Sequence, residues 1–311
     1  MNTPADALID PPVNPPSGPP SVKRPTRPFF WSVRRELWES RSIFIAPLSV
    51  AAIVLLGFAM GSRKLADGMR LVLMRQPDDQ RMLLERPYAL CAVLIILTAS
   101  FVGIFYCLDA LHGERRDRSI LFWKSLPVSD LTTVLAKATI PLVVIPIVTF
   151  VVTVGLQAAL LLFSAAVVAA HGVSIDPIWT MHLVQMPLLL IYGLVVTALW
   201  YAPVYAWLLL VSAWARRGPF LWAVLPPIGV IVMEKLALDT SYFARFLHYR
   251  LTGNFSEAFH AGDIFQGSVM DQLSQADPAK LLTSIGLWTG LVGAVALFAA
   301  VIWLRRYREP I

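Results

Sequence analysis

The side chains best suited to chemistry crowd into one short stretch. Positions 112 to 130 read His112-Gly113-Glu114-Arg115-Arg116-Asp117-Arg118-Ser119-Ile120-Leu121-Phe122-Trp123-Lys124-Ser125-Leu126-Pro127-Val128-Ser129-Asp130. Ionised residues from Glu114 to Arg118 lead into an apolar, aromatic run and then a proline turn. This grouping is not catalytic. It sets no nucleophile beside a base and carries no metal-ligand spacing. It suits recognition instead. Phe122, Trp123 and Leu126 offer an anchor of the kind that dominates interface energetics. The neighbouring charges would fix its orientation. Pro127 holds Leu126 in extended backbone and ends a helix there. Leu131 to Lys137 can restart one, so 112–137 reads as a loop with a short helix parallel to a membrane. An ordinary basic loop explains the charge, but not Phe122-Trp123 or the Leu-Pro turn.

Other candidates are weaker. Asp109 sits at the end of an apolar run, where ionisable residues are functional suspects, but it is also close enough to Arg115 and Arg116 to be a paired end residue. His171 and His182 flank one loop and read as solvated side chains. Cys91 and Cys107 are about 24 Å apart on a helix, too far to bridge within it. Gly286 and Gly290 form a Gly-x-x-x-Gly pair, followed by Gly293. Such residues let helices approach closely, between subunits or within one. The sequence has no His-Glu-x-x-His, no Gly-x-Ser-x-Gly and no phosphate-cradling Gly-x-x-x-x-Gly-Lys-Ser/Thr. An intramembrane enzyme is therefore disfavoured, and nucleotide binding is not expected on this chain.

The elements that must carry these residues are membrane helices. Of 311 residues, 57% are apolar and only 15% charged, against about 25% charged in soluble domains. Mean hydropathy is +0.65. Six apolar runs approach or exceed the ~20 residues that cross the hydrocarbon. They are Ser42–Gly61, Pro87–Leu111, Ile140–Ala170, Val184–Val211, Pro219–Met233 and Leu281–Leu304. The third and fourth exceed a simple span and must tilt or project. The fifth is short and interrupted by Pro226-Pro227, so a broken or re-entrant helix is expected there. The fold class is thus all-α, a polytopic membrane protein with six transmembrane helices.

Ahead of the spans, residues 1–28 are proline-rich, have no face to bury and read as a disordered tail. They lack the basic-then-apolar pattern of a signal peptide. Residues 29–41 read as an interfacial helix, with Phe30, Trp31, Val33, Leu37 and Trp38 to one side and Arg34, Arg35, Glu39 and Arg41 over much of the rest. The same stretch also reads as the end of the first span. Between the last two spans, 234–280 forms the largest loop, aromatic in its first half (Tyr242, Phe243, Phe246, Tyr249). It suits interfacial helices or a small cap. Sixteen of the 26 basic residues fall on the side shared by both termini, which favours termini inside. Arg63, Lys64, Arg70, Arg75, Arg81 and Arg86 run against that rule. The net charge of +6 then reflects loop composition, and nucleic acid is not an expected partner.

The stretch Glu114-Arg115-Arg116-Asp117-Arg118-Ser119, followed by Ser125-Leu126-Pro127-Val128-Ser129, resembles the cytoplasmic loop of ABC transporter permeases of the type-2 exporter class. That family often has Gly where Ser119 stands. Six spans, an N-terminal interfacial helix and a long outer region before the last span agree with the resemblance over most of the chain. It implies an inner-membrane permease subunit with both termini cytoplasmic. A separate cytosolic ATPase would hold ATP and Mg, so no cofactor is expected on this chain. A second permease subunit, identical or related, would complete the pathway. The coupling residues would be Glu114, Arg115, Arg116, Asp117, Arg118, Ser119, Leu121, Phe122, Trp123, Leu126 and Pro127. A non-transporting scaffold or assembly partner is the alternative, and only the loop speaks against it. An ion-coupled transporter is disfavoured by nearly uncharged spans and the lack of repeats.

Overall fold

The computed structural model describes residues 27–62, 65–117, 129–172, 184–258 and 276–307. The described residues are almost entirely helical and contain no strand. Six helices are long and apolar enough to cross a membrane: Ser42–Gly61, Asp79–Arg116, Asp130–Ala170, Gln185–Trp214, Pro219–Leu238 and Ile285–Tyr307. All backbone groups of a span must be satisfied internally in lipid, and helices achieve this.

The helices are α1 (Pro28–Glu39), α2 (Ser42–Gly61), α3 (Leu65–Leu73), α4 (Pro77–Ala110), α5 (His112–Arg116) and α6 (Asp130–Thr139). After a π-turn at Ile140–Val144 come α7 (Ile145–Ala170), α8 (Gln185–Trp214), α9 (Pro219–Leu238), α10 (Tyr242–Ala258), α11 (Pro278–Thr283) and α12 (Ile285–Tyr307). The spans alternate in direction. One end of the bundle carries α1, α5, α6 and the end of α12. The other carries α3, α10 and α11.

α8 is the central post. It packs along α12 and against α4, α7 and α10, and half of its apolar window is buried. Toward the α1 end the core gathers Ile43, Tyr106, Cys107, Tyr205, Leu209 and Val301. Toward the α10 end it gathers Val196, Trp200, Leu281 and Leu287. Cys91 and Cys107 are both buried and free.

Three local features differ from the sequence expectation. The second span's helix begins at Pro77, ten residues ahead of the apolar run, because the charged stretch continues the same helix beyond the hydrophobic region. The fifth span is one unbroken helix of 20 residues through Pro226-Pro227. Pro227 has no N–H to give to the Ala223 carbonyl one turn back. The Trp207 indole Nε1 on α8 donates to that carbonyl instead, at 3.2 Å, and compensates the freed acceptor. On α1, Val33 and Leu37 pack inward with the buried Glu36, while Phe30, Trp31 and Trp38 stay exposed. The aromatics and the aliphatics therefore separate onto different faces, because Glu36 has partners inside the bundle.

The third span starts with a π-helical turn. Ile145 N donates to Ile140 O in π geometry, and Pro141 and Pro146 each remove an ordinary donor. A π-turn of this kind is frequent at functional sites.

Candidate functional site

The site grows from α5, a helix of five residues that α8 fixes in place. The Ser212 hydroxyl accepts from the backbone N–H of Leu111 at 3.1 Å and of His112 at 2.9 Å. These are amides that a helix start leaves without intrahelical partners. The Arg115 guanidinium donates to the carbonyl of Ala213 at 2.6 Å, and the His112 ring lies 3.2 Å from the carbonyl of Ala215. Those carbonyls end α8, where a cation is favoured by the helix dipole.

Glu114, on the same short helix, sits in a buried network of charge. One oxygen accepts from Arg35 of α1 at 3.0 Å and lies 3.1 Å from the Lys137 ammonium of α6. The other accepts from Arg305 of α12 at 2.7 Å. Lys137 also donates to Glu36 of α1 at 2.8 Å. The second oxygen of Glu36 accepts from the Tyr106 hydroxyl of α4 at 2.8 Å. Arg305 continues to Asp130, at the start of α6, at 3.0 Å. Glu36, Glu114, Lys137 and Arg305 are all buried. Burial opposes the charge on Arg35, yet Glu39, Glu36 and Glu114 outweigh it and hold that guanidinium's pKa above its ordinary value.

Three acids (Glu36, Glu114, Asp130) thus meet three bases (Arg35, Lys137, Arg305). Removing one partner strands an uncompensated charge, at a cost of about 3–5 kcal/mol. Chemically the network is a tie. No nucleophile stands beside a base within it, and no group of three metal-ligating side chains occurs among the described residues. His171 bonds its own helix carbonyl at Val167, 2.8 Å away, and His182 lies outside the described residues.

Comparison with protein-family models, with curated proteins and with solved structures finds no match.

Of the residues singled out from the sequence, Glu114 and Arg115 turn inward as anchors. Arg116 and Asp117 face outward and pair with each other at 3.1 Å. Arg118, Ser119, Leu121, Phe122, Trp123, Leu126 and Pro127 lie outside the described residues. The Ser129 hydroxyl caps α6 by accepting from Thr132 N at 3.1 Å.

Sequence reasoning passed over Glu36, Tyr106, Asp130 and Lys137, and read Arg305 only as loop charge. Some signal was present. Lys137 is a lone cation seven residues after Asp130, hence on the same helix face, and a long uncharged run follows it. Nothing local announces that Glu36 faces inward.

Proposed function

We propose that the chain is the membrane-spanning permease subunit of an ATP-binding-cassette exporter, in which the 112–137 segment receives movement from a separate cytosolic ATPase. The observation that carries this reading is the placement of Glu114. The carboxylate at the foot of the segment is tied to α1, to the base of the third span and to the end of the last span. A push on the segment is therefore shared at once among elements far apart in sequence. The π-turn just above α6 gives the third span a place to bend in response. In this reading ATP closes the ATPase pair and the segment around Trp123 shifts. The spans then rearrange to open the opposite face to cargo.

Both termini lie in the cytoplasm of an inner membrane, α1 rests in the headgroup plane and α10 on the outer side. A second permease subunit pairs with this one. The fifth span supports this pairing, because it is the least buried of the six. ATP and Mg belong to the ATPase.

The test is co-purification from the native membrane after gentle extraction. A P-loop ATPase is expected in equimolar amount, lost on Leu126→Asp while the permease stays monodisperse. An intact preparation with no ATPase would favour a membrane scaffold. Normal ATP-driven transport by a well-expressed Leu126→Asp protein would remove the docking role.

A further inference from the structure

A cleft of about 1110 Å³ opens beside the ion network, between the α1–α2 corner and the α4–α5 corner. It is slightly larger than the roughly 300–1,000 Å³ typical of ligand sites. Its two walls differ in character. Ala46, Phe101, Val102 and Phe105 make one part apolar, while charged residues close the end nearest α1.

Most of those charges are already engaged. Arg35 bonds Glu39 at 2.9 Å and Glu114 at 3.0 Å. Lys137 bonds Glu36 at 2.8 Å, and Asp117 bonds Arg116 at 3.1 Å. Two charged side chains remain, one of each sign. Arg41 and Asp109 both line the cleft and both are exposed; neither makes a hydrogen bond or ion pair with a described residue, and Asp109 lies within electrostatic reach of Arg116, whose guanidinium bonds Asp117 instead.

Their level is set by the helices. Arg41 directly precedes the second helix, which starts the first span at Ser42. Asp109 is in the last turn of α4. Phe105 and Phe101 come four and eight residues before Asp109, so they continue its helix face toward the bilayer interior. Thr98, also in the cleft, is about 16 Å from Asp109 along the axis. Exposed Trp31 and Trp38, with Arg34 over both rings at 5.2 and 4.9 Å, mark the adjoining surface as interfacial. The cleft therefore offers one cation and one anion at headgroup height and an apolar, aromatic track below them.

We infer that this cleft binds a zwitterionic phospholipid with an ethanolamine headgroup, its phosphate on Arg41, its ammonium on Asp109 and one acyl chain along Phe105 and Phe101. The guanidinium suits phosphate oxygens. The ammonium supplies N–H donors to the carboxylate, which a quaternary choline cannot do. An anionic lipid would meet Asp109 unfavourably, and a purely cationic amphipath would meet Arg41. The inference is independent of ATPase docking, since lipid retention is measured without nucleotide or partner.

The experiment is native mass spectrometry of the full chain, delipidated in detergent. It is titrated in parallel with phosphatidylethanolamine, phosphatidylglycerol and phosphatidylcholine of one chain length. The ethanolamine lipid is expected to remain bound at the lowest concentration. Arg41→Gln and Asp109→Asn should each weaken its retention about tenfold, as expected for loss of one charge-assisted hydrogen bond. Asp109→Asn should also reduce the preference over phosphatidylglycerol. Both side chains are exposed, so the variants should fold, and size-exclusion behaviour checks this. Equal retention of the three lipids would overturn the inference, as would ethanolamine-lipid binding untouched by both substitutions. Retention of phosphatidylglycerol above phosphatidylethanolamine would replace it with an anionic-lipid site. Displacement of the lipid by dodecyltrimethylammonium from the Arg41→Gln variant as readily as from the native chain would point to a cation site on Asp109 alone.

Discussion

The two ends of the bundle solve one problem with different physics. At each end a helix outside the main bundle is fastened to the spans through a buried cation. At the α1 end, Lys137 and Arg305 meet carboxylates from other elements, and charge balances charge. At the α10 end, Arg250 has no carboxylate partner among the described residues. It donates to the carbonyl of Gly286 at 2.8 Å and lies 4.8 Å over the Trp200 ring. The Trp200 indole answers by donating to the Arg250 carbonyl at 2.8 Å, and Tyr249 packs edge-on against Trp200. Gly290 makes room, since a Cβ there would come within 2.5 Å of the guanidinium. The first joint rests on matched charges from distant segments, the second on shape, carbonyls and an aromatic face. A joint made of ion pairs has alternative partners to exchange during motion. A joint made of close packing has one fit. Under the proposed function, the α1 end is the one expected to move and the α10 end the one expected to stay rigid.

The largest expected effect strikes the ionic joint. Lys137→Met should cost about 3–5 kcal/mol, because Glu36 and Glu114 would keep their charges with one cation fewer. Thermal unfolding in detergent measures this. Adding Glu36→Gln should recover part of the loss, since partners in one network are not additive. A double variant as unstable as the sum of its singles would break the picture of a shared network.

At the other joint, Gly290→Ala should cost about 1–3 kcal/mol by overpacking against Arg250. Gly293→Ala, where a Cβ meets nothing within 4 Å, should stay within about 0.5 kcal/mol. Equal effects at both glycines would remove the close-fit account.

Trp207→Phe tests the proline-bearing fifth span, which neither joint holds. Loss of the bond to the Ala223 carbonyl should cost about 1 kcal/mol, seen as a lower melting temperature in the same assay.

The smallest effect is a pH dependence at the α10 end. Burial, and then the hydrogen bond to Glu257, push the Tyr249 hydroxyl up from 10.0 to about 12. The protonated form is the one favoured in the fold. Its contribution is full below pH 10 and is lost as pH rises through about 12. Native and Tyr249→Phe proteins should therefore converge in stability across that window, and parallel curves would show that ionisation of Tyr249 is not linked to folding.

Much of the architecture was legible because hydrophobic length is a local property. The six spans emerge from runs such as Ser42–Gly61 that match the bilayer without reference to any neighbour. The helix at 28–39 was legible from its composition. Its inward face was not, because Glu36 is turned by Lys137, 101 residues away. Pro226-Pro227 suggested a break for a sound local reason, and a single indole on α8 prevents it. The Gly286 and Gly290 pair was recognised as a place of close approach. What approaches is the Tyr249 and Arg250 side chains of α10, from within one chain.

By itself, then, the sequence determined that the chain lives in a membrane, roughly where it crosses, and which stretch concentrates charge beside aromatic residues. Apolar length and charge density act through solvation, which each segment experiences alone. Only the tertiary structure decided that Glu114 and Arg115 face inward while Arg116 and Asp117 face out. It alone brought Glu36, Lys137 and Arg305 to one carboxylate, and it alone left Arg41 and Asp109 facing one cleft. A buried charge is tolerated where its partners converge, and that convergence is set by the packing of helices far apart in the chain.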